Sequence, residues 1–223
     1  YIATGDPRIL PFLSRYFRYQ LKELPTKPLG KWTFWGEQRG ADNLLVVYWL
    51  YNLTGEPFLL ELGDLIHQQT FDWTNVFLHG NQLYRQQSMH CVNLGQGFKA
   101  PLIYYQRSGR ADHLNAASKG MEIIRHTLGF PTGLWAGDEL LRFGEPTHGS
   151  ELCTAVEMMY SLENMLEISG DMRWADHLER VAYNALPTQI SDDFSSRQYY
   201  QQVNQVSIRN EYHSFSTPHG GTD

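Results

Sequence analysis

Four glycine steps divide this chain into helical hairpins. Thr4-Gly5-Asp6-Pro7, Thr54-Gly55-Glu56-Pro57, Ser108-Gly109-Arg110 and Ser169-Gly170-Asp171 recur about every 50–60 residues, each between stretches with helical apolar spacing. A glycine at such a step can supply the left-handed residue that ends one helix, and Pro7 and Pro57 suit the first turn of the next. The segment after each step reads as an amphipathic helix. Its apolar positions are Ile9, Leu10, Leu13 and Phe17; then Phe58, Leu59, Leu62 and Ile66; then Leu114, Ala117, Met121 and Ile124; then Trp174, Leu178, Val181 and Ala185. The full reading places helices near 7–24, 40–53, 57–71, 91–107, 111–128, 150–168 and 172–186. A helical hairpin recurring at this period, with long loops between copies, points to an all-α chain that forms part of an (α/α)6 barrel. Such a ring collects its long loops at one mouth, where a site can be built.

The charge balance narrows the partners. A formal charge of -6 without a basic cluster argues against nucleic acid or an anionic membrane as partner. No apolar run reaches the length of a membrane span. The 13 Tyr, 11 Phe and 6 Trp, many beside polar residues in loops, suit sugar rings, which present C–H faces and hydroxyls together, as well as a plain core. On these residues alone an oligosaccharide or glycoside partner is one reading and a plain core the other, and a homo-oligomer is compatible with the chain. Two cysteines make no disulfide framework, which favours a reducing compartment such as the cytoplasm over the periplasm.

Both ends read as cut. Tyr1 to Gly5 has the form of the last turn and cap of a helix, and Thr217-Pro218-His219-Gly220-Gly221 is a loop that leads nowhere. Seven helices fall short of the twelve that a closed six-hairpin ring needs. The run Arg197 to Val206 is β-like, within an extended segment of about 197–208 that leads toward an absent β-sandwich. The expected organisation is a portion of the barrel over 1–196 and an outgoing extended segment and loop over 197–223.

The stretch with most chemistry runs from Pro131 to Cys153. It contains Gly137-Asp138-Glu139, a polar loop, and Ser150-Glu151-Leu152-Cys153. Ser150 is a plausible N-cap, which would put Glu151 and Cys153 in the first helical turn, where the helix dipole favours a carboxylate and a thiolate. A carboxylate and a thiolate can both ligate zinc, yet two ligands are fewer than the four of a structural site. Taken alone, the pair reads as a capping glutamate and a buried cysteine. Adjacent Asp138 and Glu139 could raise one another's pKa, or could simply lie on a solvated loop.

Other polar and aromatic residues carry two readings each. His90, His148, His213 and His219 lie near loops and could contact a sugar or remain surface histidines. Trp32, Trp35 and Trp135 flank glycine-bearing loops and are the stacking candidates. Glu179 falls mid-helix between Leu178 and Val181, where burial would mark a functional role and exposure an ordinary surface residue.

The wording of the central segment adds a further constraint. Gly137-Asp138-Glu139, followed by Pro146-Thr147-His148-Gly149-Ser150-Glu151-Leu152-Cys153, resembles the central motif of bacterial β-L-arabinofuranosidases, glycoside hydrolase family 127 and its relatives. Trp49-Leu50-Tyr51-Asn52-Leu53-Thr54-Gly55, His90-Cys91-Val92-Asn93, His177 to Pro187, and Gln201-Gln202-Val203-Asn204-Gln205 are similar to other stretches of that family. The resemblance implies an (α/α)6 barrel with attached β-sandwich domains and retaining hydrolysis of a glycosidic bond by a cysteine nucleophile beside zinc. It implies Glu151 and Cys153 as two of four zinc ligands, and Glu139, or its neighbour Asp138, as the general acid/base. It further implies sugar-binding roles for Glu179, for Tyr200 or Tyr199, and for His90.

One departure stands out. The family draws its nucleophile and remaining zinc ligands from two adjacent cysteines downstream, whereas this sequence has only Cys91 and Cys153. The nucleophile is therefore expected outside this chain. Two other readings remain open at this level. One keeps the toroid but makes it a sugar epimerase or unsaturated uronyl hydrolase without zinc; the other is a non-catalytic carbohydrate-binding or scaffold fragment.

Overall fold

In the computed structural model, residues 1–85, 88–144, 148–195, 197–202 and 216–217 are described. All four glycine steps are left-handed turns: Gly5, Gly55 and Gly170 have φ of +67°, +67° and +68°, and Gly109 has +62°. The amides of Gly55, Gly109 and Gly170 each donate to the carbonyl four residues back, at Tyr51, Tyr105 and Leu166, which satisfies a carbonyl at the helix end.

The helices are α1 (Ile9–Glu23), α2 (Leu29–Trp32), α3 (Phe34–Gln38), α4 (Gly40–Thr54), α5 (Phe58–Gln69), α6 (Trp73–His79), α7 (Cys91–Gly97), α8 (Ala100–Ser108), α9 (Ala111–Thr127), α10 (Leu152–Ser169) and α11 (Met172–Arg180). Short strand pairs complete the described residues: β1 (Gly137–Asp138) with β2 (Leu140–Leu141), β3 (Ser150–Glu151) with β5 (Tyr200–Gln201), and β4 (Arg197–Gln198) with β6 (Ser216–Thr217). None of these helices is long and apolar enough to cross a membrane.

The chain divides into two compact units, Tyr1–Asp72 and Trp73–Asp223. In the first, α4 and α5 form a hairpin across Gly55, with Leu44, Val47, Leu50, Leu59, Leu62 and Ile66 buried. Gly63 lets the pair approach, because a side chain there would press into the Tyr48 ring. The second unit is built around a column of aromatic rings. Trp73 and Phe77 have centroids 5.8 Å apart, Phe77 and Phe98 4.5 Å, and Phe98 and Trp135 5.8 Å. Every residue of α7 is buried, so this helix is surrounded by its neighbours over its whole circumference.

Three expectations need correction. The single helix expected over 91–107 is broken at Phe98-Lys99 into α7 and α8. Pro101 has no amide for the Gly97 carbonyl, and its ring crowds that carbonyl. The helix expected to run to 186 ends as α11 at Arg180, then widens into a π turn over Val181–Ala185 and a 3-10 turn over Leu186–Gln189 that contains Pro187. Ser150 is not an N-cap. It belongs to β3, its hydroxyl donates to the Trp135 carbonyl at 2.6 Å, and Glu151 takes the capping position with extended backbone. The partner strand lies some fifty residues away, so local spacing could not reveal it. α2, α3 and α6 were not anticipated because helices this short show too little periodicity.

Candidate active site

Glu139 occupies the tight turn between β1 and β2, where Asp138 pairs with Leu140, and its φ is +76°. That left-handed backbone costs a non-glycine residue about 1 kcal/mol and persists only where its surroundings enforce it. Here the backbone on either side is clamped. The Cys91 amide donates to the Glu139 carbonyl at 2.8 Å, the Leu141 amide to the Met89 carbonyl at 2.8 Å, and His90 bridges to Leu140. Gly137 is the residue that permits this: a Cβ there would collide with the Cys91 sulfur.

The carboxylate is gripped through both oxygens. His90 Nε2–H donates to Oε2 at 3.0 Å, while the Tyr199 and Tyr200 hydroxyls donate to Oε1 at 2.6 and 3.1 Å. Adjacent residues in a regular strand face opposite sides, but Tyr199 lies at the bend between β4 and β5. Both rings therefore turn to the same carboxylate, edge to face with centroids 4.7 Å apart. The side chain of Glu139 is still 32% exposed, so the site is open to a ligand.

Burial pushes the Glu139 carboxyl pKa up; the hydrogen bonds from Tyr199, His90 and Tyr200 together outweigh it and leave the group below its ordinary value. The expected elevation is thus absent in the ligand-free site. A second carboxylate lies close to it. It is Glu151, buried at the start of α10, whose carboxylate lies within 4.8 Å of the Glu139 carboxylate and the His90 ring nitrogen. The side chain of Asp138 lies outside the described residues.

The ring nitrogen of His90 and the carboxylates of Glu139 and Glu151 form the one group of three potential metal ligands among the described residues. An imidazole and two carboxylates are a donor set that zinc accepts, so these residues fit such an ion in chemistry and count. The trio shares one member with the pair expected from sequence. Glu151 belongs to it; Cys153, two residues further along the chain and half-buried, does not. Glu151 projects from the extended residue before α10, whereas Cys153 projects from the first turn of the helix itself.

The remaining candidates fall elsewhere. Trp135 is a correction: it is fully buried against Phe98 and has no face to offer a sugar. Its position beside glycine-bearing loops reflected a core residue entering the aromatic column. Glu179 is exposed on α11, the surface outcome of the two readings above, and is not among the groups gathered at Glu139. His148 is half-buried. His213 and His219 lie outside the described residues. Trp32 and Trp35 belong to the first unit, where Lys27 lies over one ring and Arg39 over the other. Sequence reasoning missed Cys91 as a backbone donor and Gly137 as its sterically required partner. The adjacency of Cys91 to His90 was the available signal.

Helical hairpins closed by left-handed glycines, with an acidic site built from loops of the second unit, define an α/α-toroid class of fold. The chain belongs to the β-L-arabinofuranosidase GH127 catalytic-domain family, whose model matches residues 1–220, and so to a family of glycosidases. No curated protein sequence matches it. A solved GH127 β-arabinofuranosidase shares the fold with a TM-score of 0.66 at 20% identity, covering 91% of this chain and 33% of its own. A GH127 β-L-arabinofuranosidase from Geobacillus stearothermophilus T6 gives 0.56 at 18% identity, over 71% of this chain and 30% of its own. A sugar epimerase from a ruminal bacterium gives 0.54 at 14% identity, over 74% and 47% respectively. The chain thus spans about a third of the length of the GH127 structures it matches.

Proposed function

We propose that the protein carrying this chain hydrolyses β-L-arabinofuranosides or closely related glycosides with retention, and that Glu139 is its acid/base. The observation that carries the reading is the Glu139 carboxylate itself, partly open to solvent, held through both oxygens and close to Glu151. A retaining glycosidase needs a group that protonates the leaving oxygen and later activates water. In the free site the Tyr199, His90 and Tyr200 donors keep Glu139 ionised, ready for the second task. A bound glycoside expels water, which strengthens burial and the repulsion from Glu151 and moves Glu139 toward the protonated form required first.

Glu151, with Cys153 as its partner from the family resemblance, is proposed to hold zinc, and His90 and Glu139 border that position. Bound zinc would keep a thiolate deprotonated at neutral pH and fix its direction. Glu139 is assigned to proton transfer rather than to the metal because both its oxygens already accept hydrogen bonds from protein donors. The reading takes its nucleophile from sequence outside this chain.

The test is hydrolysis of an aryl β-L-arabinofuranoside by the intact protein, with the anomer of the first product read by NMR. Glu139→Gln should lower kcat by ~10²–10⁴-fold, while Asp138→Asn should leave it near wild type. The reverse result would move the acid/base to Asp138. Inversion, or no turnover at all, would defeat the proposal.

A further inference from the structure

The Glu139 carboxylate is met by side chains from the 199–201 segment, and Glu151 lies on the strand paired with that segment. What sets their register is a buried amide. Gln189 is 1% exposed, at the end of the 3-10 turn that follows α11. Its Nε2 donates to the Ser150 carbonyl at 3.1 Å, on β3, and to the Tyr199 carbonyl at 3.1 Å, at the bend that leads into β5. Its Oε1 accepts from Gln201 Nε2 at 3.0 Å.

The orientation of this amide follows from its partners. Two carbonyls can be met only by the NH2 end of Gln189. Its Oε1 then faces Gln201, whose own Nε2 must also serve the Ala185 carbonyl at 3.2 Å while its Oε1 takes the Thr188 hydroxyl at 2.6 Å. The two amides have one self-consistent orientation, and a break at Gln189, the buried member, leaves a polar group without water.

We infer that Gln189 is a positioning residue that locks β3 to the Tyr199-Tyr200 segment, so that Glu151 and the two tyrosine hydroxyls converge on Glu139. The inference rests on the catalytic reading given above, though it makes a claim about the strands that stands apart from activity. Gln189 touches neither Glu139 nor the metal-ligand trio. It acts on them through the Ser150 and Tyr199 backbones. The Tyr199 carbonyl also accepts from the Leu152 amide at 2.9 Å, so the first amide of α10 reports on the same junction.

The test is Gln189→Met in the intact protein, which keeps the volume and removes the donors. Two readouts are taken: hydrogen exchange of the Ser150–Leu152 and Tyr199–Gln201 amides, and the kcat and KM split on an aryl β-L-arabinofuranoside. Exchange at the two strands should quicken at least tenfold while the amides of α9 stay at wild-type rates. In parallel, kcat should fall about ten- to a hundredfold with KM within threefold. Unchanged exchange, or wild-type kcat at temperatures well below the melting transition, overturns the inference. If the wild-type protein does not hydrolyse arabinofuranosides, the catalytic reading fails, and exchange alone decides whether Gln189 holds the strands. Should Gln189→Met not fold, Gln201→Met removes the contact that orients the amide, together with the Ala185 and Thr188 bonds of Gln201, and leaves the Gln189 donors in place. It should give the same pattern at reduced amplitude, and wild-type exchange in that variant counts against the inference.

Discussion

The amide of Cys91 donates to the carbonyl of Glu139 at 2.8 Å, and the Cys91 side chain occupies the space that a Cβ on Gly137 would need. One residue thereby enforces both the left-handed turn at Glu139 and the glycine two positions before it. The preceding residue, His90, then holds the Glu139 carboxylate from the same side. Backbone and side chain of the acid are fixed by two consecutive residues of one distant segment.

Gly137→Ala should therefore destabilise the protein by about 1–3 kcal/mol through overpacking against Cys91. Cys91→Ala in the same chain should recover part of that loss, since it removes the sulfur while leaving the Cys91 amide bond to Glu139 in place. Urea unfolding of the two single variants and the double variant gives the coupling. Additive losses would show that the two side chains do not compete for space.

Tyr199 makes the shorter hydrogen bond to Glu139, 2.6 Å against 3.1 Å for Tyr200. Tyr199→Phe should reduce kcat more than Tyr200→Phe, with losses on the order of tenfold for the first. A charge-assisted bond contributes about twice as much as a neutral one, and the shorter of the two contributes most. Equal kcat values for the two variants would rule out a leading role for Tyr199.

His177 supplies a pH dependence of stability. It is buried, its Nε2–H donates to the Gly133 carbonyl at 2.7 Å, and its Nδ1 accepts from Arg125 at 3.3 Å. Burial pushes its pKa down to about 4, the Gly133 carbonyl opposes this, and the neighbouring Arg125 and Arg180 charges add to the depression. The unfolded chain thus takes up the proton first, near pH 6.5, and the folded one only near pH 4. Stability is full above the unfolded value and falls as pH drops through this window, by about 3 kcal/mol in all. His177→Gln, which keeps a donor for Gly133, should flatten that fall when urea midpoints are compared at pH 7 and pH 4.5. An equally steep fall in the variant would assign the effect to other groups.

Metal content tests Glu151 as a zinc ligand. Glu151→Gln should lose zinc measured by native mass spectrometry, and removal of zinc by a chelator should abolish turnover by the wild type. Truncating one ligand typically weakens a site by tenfold or more, and Glu151 is buried, where water does not readily take its place. Retention of stoichiometric zinc in the Glu151 variant would exclude this residue from the metal.

Gly5, Gly55, Gly109 and Gly170 were legible in the sequence because a left-handed helix end is a local event, decided by one residue and a hydrogen bond four residues long. The helices that they close followed for the same reason, and Glu139, Glu151, His90, Tyr199 and Tyr200 were found through motif wording. Their arrangement was not local. His90, the Glu139 turn, the β3 strand and the tyrosine segment come from separate parts of the chain, and they meet only through long-range pairing. Spacing within one segment therefore carries no information about the approach of Glu151 to Glu139. Nor could it show that Trp135 turns inward or that Glu179 stays exposed, because burial is set by which surfaces pack together. What the sequence determined by itself is the glycine-closed helix ends and the longer helices beside them; what only the tertiary structure decided is which side chains share the site, since hydrogen-bonded turns form within a few residues and convergence requires the packed core.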